Sequence, residues 1–144
     1  MKIAVLTDSA ANLSNEFIAS KNNLFVVPLM IVVDGKEYRD QIEISASDVY
    51  AKLDTHKVST SLPSNEDLHN ILAEIKKRGF THLLVINISS GLSGTFNSFR
   101  LALDEEKELQ TIQYDTKTLG GGEGFIVEYA LELIEKKTAF EEIV

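Results

Sequence analysis

The residues best suited to chemistry lie in a short stretch, Ser89–Thr95, that is rich in serine and glycine. The hydroxyl groups are neutral hydrogen-bond donors, and the glycines let a ligand approach the backbone closely. The stretch follows the apolar run His82–Ile88 and precedes a segment of helical period, which indicates a loop between a strand and a helix. Open α/β sheets bind ligands at such loops, where the first helical amides attract an anion. An anion site and a simple turn with a helix cap explain this pattern equally well.

A second group of hydroxyl residues, Ser59–Ser64, surrounds a proline ahead of an amphipathic segment. Ser64 already has a role, because its spacing to Asp67 is typical of a helix cap. Thr60 and Ser61 are more hydroxyls than a cap requires, so they could bind a polar ligand. A surface turn is the alternative, and for this segment alone it is the better explanation.

The third candidate is Asp8-Ser9, at the end of the first apolar run. An aspartate there could act as a nucleophile or bind Mg²⁺ in phosphoryl transfer. The phosphate-binding pattern Gly-x-x-x-x-Gly-Lys is absent, so we expect Asp8 to order its loop by accepting hydrogen bonds from backbone amides. A small-molecule hydrolase or phosphotransferase that uses Asp8, Ser9 or Ser93 stays open as an alternative, although no base that would activate either serine is evident.

Sites for cofactors and metals find no support in the sequence. The segment Gly120–Gly124 lacks the Gly-x-Gly-x-x-Gly spacing of a nucleotide site, and Glu123 would repel phosphate, so we expect a flexible junction there. The histidines do not have metal-ligand spacing; they are His56, His69 and His82. We therefore expect neither a metal, nor a cofactor, nor a histidine-based catalytic site.

The composition excludes several classes of protein. A chain of 144 residues with 44% hydrophobic residues is the size of one globular domain. Its net charge of −8 repels phosphate backbones, which argues against nucleic-acid binding. No apolar run approaches the ~18 residues of a membrane-spanning helix. Cysteine is absent, which favours a cytoplasmic protein.

The apolar runs predict an α/β fold. Runs of strand length occur at Ile3–Leu6, Leu24–Val33, His82–Ile88 and Thr111–Tyr114. Segments of helical period lie between most of them, which indicates a three-layer α/β/α domain with a mainly parallel sheet. Pro28 interrupts the second run, and Asp34-Gly35 predicts a short hairpin near Leu29–Tyr38. Helices are expected near residues 14–21, 47–53, 65–77, 93–104 and 124–137.

Three segments taken together resemble the DegV family. They are Thr7-Asp8-Ser9, Ser59-Thr60-Ser61-Leu62-Pro63-Ser64 and Ser89-Ser90-Gly91-Leu92-Ser93-Gly94-Thr95-Phe96. Their order and spacing also match, and further similarity in Val26–Leu29, in Tyr114–Thr116 and near the carboxyl end extends the resemblance over the whole chain. Leu62 departs from the family pattern, which usually has Gln there, and residues 120–124 are richer in glycine than their usual counterpart.

The resemblance implies a lipid-binding protein without catalysis of its own. Members of the family have two domains that hold a long-chain fatty acid between them, and some present its carboxylate to a bacterial fatty-acid kinase. Carried over by motif, Thr60 and Ser93 bond the carboxylate, with Ser61 and the amide of Gly94 beside them. The residues that could support the loops are Asp8, Ser9, Ser89 and Thr95.

The resemblance also implies that the second domain is missing from this chain. Residues 1–119 correspond to the amino-terminal lipid-binding domain, and residues 120–144 to a connecting helix and the start of a truncated second domain. Because the second domain closes the lipid tunnel in the family, we expect an exposed apolar groove here and self-association through it. The remaining alternative is a structural fragment that folds but has no function.

Overall fold

The computed structural model describes residues 1–143, with seven strands and five α-helices. The strands are Ile3–Asp8 (β1), Leu24–Val27 (β2), Met30–Val33 (β3), Lys36–Arg39 (β4), Val58–Ser61 (β5), His82–Asn87 (β6) and Gln110–Asp115 (β7). The helices are Asn15–Ser20 (α1), Ala46–Lys52 (α2), Asn65–Lys77 (α3), Thr95–Asp104 (α4) and Gly121–Glu135 (α5). Two short 3₁₀ turns are Ser9–Ala11 and Phe140–Glu142. No helix in the described part of the chain is long and apolar enough to cross a membrane.

A four-stranded parallel sheet with the order β2-β1-β6-β7 forms the centre of the domain. All of β1 is buried, and so is all of β6 except His82. Strands that are buried on both faces consist of continuous apolar runs, which is why these two are recognisable in the sequence. Strand β7 lies at the edge of the sheet and is only partly buried.

Two apolar cores lie on opposite faces of this sheet. On one face, α3 and α4 pack against Leu6 and Val85. On the other face, α5 packs against Val5 and Ile86. Neighbouring residues of one strand point to opposite faces, so β1 and β6 contribute to both cores. The predicted three-layer α/β/α fold is confirmed.

A separate antiparallel sheet has three strands in the order β4-β3-β5. Asp34 and Gly35 join β3 to β4, and their φ angles of 50° and 84° suit a two-residue hairpin turn, so the predicted hairpin is confirmed. The sequence predicts a loop at Val58–Ser61, and this prediction is wrong because these residues form β5 and pair with β3. Its last three residues are polar and exposed, so no apolar alternation marks the strand.

Helix α3 begins where its cap residues predict. Ser64 accepts a hydrogen bond from the amide of Asp67 at 3.0 Å. The carboxylate of Asp67 accepts hydrogen bonds from Nε and Nη2 of Arg39 on β4, at 2.9 and 3.1 Å. This interaction with Arg39 holds the pKa of Asp67 below its usual range. The pair therefore ties the small sheet to the helix that follows β5.

The glycine-rich segment is the packed start of α5, and the predicted flexible junction is wrong. Gly120, with a φ angle of 58°, donates its amide to the carbonyl oxygen of Ala10 at 2.8 Å. A Cβ atom on Gly124 would lie only 2.7 Å from the carbonyl oxygen of Ala11. Glycine is needed here because the helix approaches the turn after β1 so closely. The division of the chain at residues 119 and 120 stays a prediction.

Candidate ligand-binding site

Thr60, Ser61, Ser93 and Gly94 line one cleft of about 640 Å³. The turn after β1, strand β5 and the loop before α4 contribute to its walls. Its volume falls within the range of roughly 300–1,000 Å³ that is usual for small-molecule sites. The structure thus brings together the four residues that the two hydroxyl motifs predict as a ligand site.

Thr60 and Ser61 reach the cleft from strand β5, not from a loop. Thr60 pairs with Ile31 of β3, and Ser61 pairs with Met30. Thr60 belongs to the small antiparallel sheet, and it lines the cleft together with Ala10 and Ile88, which follow the carboxyl ends of β1 and β6. Pairing with β3 fixes the backbone of β5, while both side chains stay exposed and accessible to a ligand.

Ser93 lies in the loop between β6 and α4 and is half-buried. Its Oγ accepts a hydrogen bond from the amide of Thr95 at 3.2 Å and lies 2.9 Å from Oγ1 of Thr95. Thr95 is completely buried, so it fixes the position of the Ser93 oxygen. When Thr95 donates to Ser93, the hydroxyl hydrogen of Ser93 is free to donate to a ligand in the cleft.

Gly94 is the residue at which α4 begins, and it has no side chain that could cap the helix. The first amides of a helix and the positive end of its dipole favour an anion. A Cβ atom at position 94 would lie 3.3 Å from Cδ2 of Leu62, so glycine lets Leu62 pack against the helix start. An anion at this place would lie between polar amides and an apolar side chain.

The cleft has an apolar side as well as a polar one. Leu62, Leu92 and Leu119 line it, and their exposed fractions are 44%, 60% and 53%. Three large apolar side chains that are exposed around one cleft form a surface suited to hydrocarbon. The site therefore combines hydroxyl and amide donors with an apolar wall.

Asp8 holds the turn that lines the cleft and is itself completely buried. Its Oδ1 accepts a hydrogen bond from the amide of Ala10 at 3.1 Å. Its Oδ2 accepts hydrogen bonds from the amide of Ile88 at 2.9 Å and from Nδ2 of Asn87 at 3.1 Å. The aspartate thus joins the end of β1 to the end of β6, and Ala10 and Ile88 both line the cleft.

Ser9 fixes the same turn to the small sheet. Its Oγ donates a hydrogen bond to Oδ2 of Asp40 at 2.7 Å and accepts one from the amide of Leu29 at 2.9 Å. Burial raises the pKa of Asp40, an effect that the hydrogen bond from Ser9 opposes. The hydroxyl of Ser9 donates one hydrogen bond and accepts another within the protein, so we assign this residue a structural role.

Ser89 and Ser90 order the loop before Ser93. The amide of Ser89 donates to the carbonyl oxygen of Thr118 at 2.9 Å, and its Oγ accepts a hydrogen bond from the amide of Gly91 at 3.2 Å. The hydroxyl of Ser90 donates to Asp115 at the end of β7, which lowers the pKa of that aspartate. The loop is thus bonded to the segment that follows the neighbouring strand.

Glu123 is the notable residue that the sequence does not predict. It is completely buried in the first turn of α5, and Oγ1 of Thr7 donates to its Oε1 at 3.2 Å. Within the described residues its Oε2 has no hydrogen-bond partner. Burial and then the charge of Asp8 raise the pKa of Glu123 to about 10, so the side chain is neutral at pH 7. A glutamate between glycines is typical of an exposed loop, so the local pattern does not predict that Glu123 is buried.

The residues of the enzymatic alternative line different cavities. Asp8 and Ser9 line a cavity of about 190 Å³, whereas Ser93 lines the cleft of about 640 Å³. The hydroxyl of Ser93 interacts with Thr95, which is not a base. Within residues 1–143 no group of three or more histidine or acidic side chains is arranged to hold a metal ion. Asp8 and Ser9 are therefore not brought into one cavity with Ser93.

Comparison with protein families and curated proteins identifies relatives along the whole chain. The family model described as "Uncharacterised protein, DegV family" matches residues 2–144. A DegV domain-containing protein of Clostridium acetobutylicum is 36% identical over 143 residues, which is 99% of this chain and 50% of that protein. Another from Clostridium perfringens is 38% identical over 143 residues, with the same coverage. The chain thus spans about half the length of these curated relatives.

Solved structures of the same fold include proteins described as binding fatty acids. A DegV-family protein from Thermus thermophilus has a TM-score of 0.88 and 32% identity, over 99% of this chain and 51% of that chain. DegV from Bacillus subtilis, described as a fatty-acid-binding protein, has a TM-score of 0.89 and 28% identity, with the same coverage. Because the family model matches nearly every residue and the folds agree, the chain belongs to the DegV family.

Proposed function

We propose that this chain binds a long-chain fatty acid in the cleft between β5 and the start of α4. Thr60 and Ser93 bond the carboxylate, with Ser61 and the amide of Gly94 beside them. The observation that carries the proposal is the convergence of two hydroxyl motifs, distant in the sequence, on one cleft at the start of α4, where the N-cap residue Gly94 has no side chain. The fatty-acid binding described for two proteins of the same fold supports it.

Neutral donors hold the head group in this proposal. The described residues that line the cleft include no lysine or arginine. A hydrogen bond to a charged group contributes roughly 1.5–3 kcal/mol, and a helix start adds roughly 0.3–1 kcal/mol for an anion. Two hydroxyls and an amide therefore suffice to hold a carboxylate on a protein whose net charge is −8.

The apolar wall selects for a long acyl chain. Leu62, Leu92 and Leu119 offer hydrocarbon surface beside the donors. Each methylene group that is fully removed from water contributes about 0.8 kcal/mol, so affinity increases with chain length until the wall is covered. Short carboxylic acids gain the head-group bonds alone and bind weakly.

Native mass spectrometry of the purified chain tests the proposal. We expect one oleate or palmitate per chain, either retained from the cells or after addition, and no binding of acetate at the same concentration. Oleyl alcohol is the matched control, because it has the same hydrocarbon chain without a carboxylate, and it should bind more weakly than oleate. A chain that stays free of lipid at saturating oleate contradicts the proposal and favours a structural fragment without function.

Presentation of the bound carboxylate to a fatty-acid kinase in the cytoplasm is the second part of the proposal. The exposed positions of Thr60 and Ser61 support it, because they leave the head group accessible to a partner. In this proposal the chain itself does not catalyse a reaction, and the hydroxyl of Ser93 interacts with Thr95. A purified fatty-acid kinase should phosphorylate oleate in the presence of this chain, and a rate unchanged by the chain would contradict presentation.

Self-association through the apolar cleft is a further expected result. Leu62, Leu92 and Leu119 are exposed together, and Phe125 and Tyr129 of α5 add exposed fractions of 69% and 53%. Exposed apolar patches of this kind favour dimers with twofold symmetry. Light scattering at micromolar concentration should show a dimer or larger species.

Substituting two leucines of the cleft tests whether the chain self-associates through this surface. The double change Leu92→Ser, Leu119→Ser should give a monomer. Leu53→Ser is the control, because Leu53 is also exposed and does not line the cleft. A wild-type chain that is monomeric throughout contradicts the prediction. Phe140 is completely buried, so it does not contribute to this surface.

A further inference from the structure

Two buried carboxyl groups, Asp8 and Glu123, lie next to the turn that lines the cleft. Both side chains have an exposed fraction of 0%. Asp8 ends β1, and Glu123 in the first turn of α5 accepts a hydrogen bond from Thr7, the residue before Asp8. Two ionised carboxylates in contact inside a protein repel each other strongly, and such a pair binds one proton instead.

The two carboxyl groups differ in their hydrogen bonds. Asp8 accepts bonds from two backbone amides and from Nδ2 of Asn87. Glu123 accepts one bond, from the hydroxyl of Thr7, and its Oε2 has no partner within residues 1–143. When Glu123 is protonated, its Oε2 can donate a hydrogen bond to Asp8.

The pair is connected directly to the cleft by backbone contacts. Asp8 accepts a hydrogen bond from the amide of Ala10, and the amide of Gly120 donates to the carbonyl oxygen of the same residue at 2.8 Å. Gly124, next to Glu123, packs against the carbonyl oxygen of Ala11. Ala10 lines the cleft, so any movement of α5 relative to Asp8 changes the wall of the site.

We propose that Glu123 is a positioning residue for the cleft: its carboxyl group shares one proton with Asp8, and the shared proton holds the Ser9–Ala11 turn against the start of α5. The consequence for fatty-acid affinity rests on the proposed function, whereas the position of the turn does not. Loss of the proton places two negative charges in contact and displaces the turn. Ligand affinity and the stability of the fold therefore both fall when the pair loses its proton.

The elements that pack against α5 determine which ionisable side chains face the pair. Helix α5 packs on β1, β6 and the turn after β1. Within the described residues, β1 presents Asp8 and the hydroxyl of Thr7, and the turn has no ionisable side chain. Strand β6 presents the neutral Asn87 at this end, while its His82 lies at the other end against Phe140. Asp40 accepts a hydrogen bond from Ser9 of the turn.

The shared proton makes the stability of the fold depend on pH. The pKa of Glu123 is about 10 in the folded chain against 4.5 for an ordinary glutamate. Between these values the folded chain keeps a proton that the unfolded chain has lost, so rising pH favours unfolding. The stabilisation is complete below the unfolded pKa and lost as the pH rises through the folded pKa. The unfolding equilibrium constant should increase close to tenfold per pH unit between about pH 6 and 9 from this residue alone.

Two variants of equal size test the role of the hydrogen bond. Glu123→Gln keeps a donor toward Asp8 and has no titrating group, so it should bind oleate within about twofold of the wild type and lose the dependence of unfolding on pH. Glu123→Met fills the same space without a donor, and it should weaken oleate binding at least about tenfold at pH 7. Asp40→Asn is the control, since it removes a different acid near the turn and should keep the dependence of unfolding on pH between 6 and 9.

NMR spectroscopy separates the positioning role from general stability and from the proposed function. In the wild type without ligand, the carboxyl carbon of Glu123 should titrate far above 4.5, and the amide signals of Ala10 and Asn12 should shift with the same midpoint. In Glu123→Gln these amide shifts should vanish. A Glu123 carboxyl that titrates near 4.5, or Ala10 and Asn12 signals that ignore its titration, would overturn the proposal. If the wild type fails to bind oleate, the proposed function fails, and these titrations still decide the positioning role.

Discussion

Replacing either Thr60 or Ser93 should weaken the binding of oleate by about 1–3 kcal/mol, which is roughly a 5- to 150-fold higher Kd. Thr60→Val keeps the shape of the side chain and removes its hydroxyl, and Ser93→Ala removes the hydroxyl of the second proposed carboxylate ligand. Each change deletes one hydrogen bond to the carboxylate, which is a charged acceptor. Isothermal titration calorimetry at pH 7 gives the Kd of each variant.

A neighbouring serine provides the control for these variants. Ser59 is exposed on the same strand as Thr60 and does not line the cleft, so Ser59→Ala should leave the Kd within about twofold. Ser93 also accepts a hydrogen bond from the amide of Thr95, so thermal unfolding of Ser93→Ala should accompany the titration to show that the chain is folded. Unchanged affinity in both Thr60→Val and Ser93→Ala would exclude the carboxylate role of these hydroxyls.

Substitution of Gly124 by alanine should destabilise the fold by about 1–3 kcal/mol. The added Cβ would lie 2.7 Å from the carbonyl oxygen of Ala11, and a backbone atom cannot move aside cheaply. Alanine favours a helix over glycine by up to about 1 kcal/mol, which offsets only part of this cost. For a domain of this size, each kcal/mol lowers Tm by roughly 2–4 °C, which calorimetry resolves.

The other glycines of the same segment provide graded controls. A Cβ on Gly121 has no atom within 4 Å, so Gly121→Ala should be neutral or slightly stabilising. A Cβ on Gly122 would lie 2.8 Å from Oγ1 of Thr118, a side chain that can rotate, so Gly122→Ala should fall between the two. Equal stability of Gly121→Ala and Gly124→Ala would show that α5 does not pack closely on the turn after β1.

The packed glycines and the buried carboxyl pair belong to one structural unit beside the cleft. Gly124 lets α5 approach Ala11, and Glu123 reaches Asp8 from the same helical turn. The turn after β1 is therefore fixed from two directions before it contributes Ala10 to the cleft. Binding sites hold their ligands with less loss of entropy when such supports are formed in advance.

The sequence by itself determined the layers of the fold and the identity of the site motifs. Strands β1 and β6 are continuous apolar runs because both of their faces are buried, and this signal is local. Ser64 and Asp34-Gly35 also act locally, since a cap and a tight turn depend on residues within a few positions. The same locality makes the hydroxyl motifs visible as unusual clusters.

Only the tertiary structure decided how these parts meet. Val58–Ser61 is a strand because β3 supplies the hydrogen bonds for its backbone, and its own exposed polar side chains contain no sign of that partner. The same pairing brings Thr60 to the cleft that Ser93 lines. Glu123 is neutral because the fold buries it, and burial and then the charge of Asp8, more than a hundred residues away, raise its pKa. Burial and pairing between distant residues set both properties, and neither leaves a local pattern in the chain.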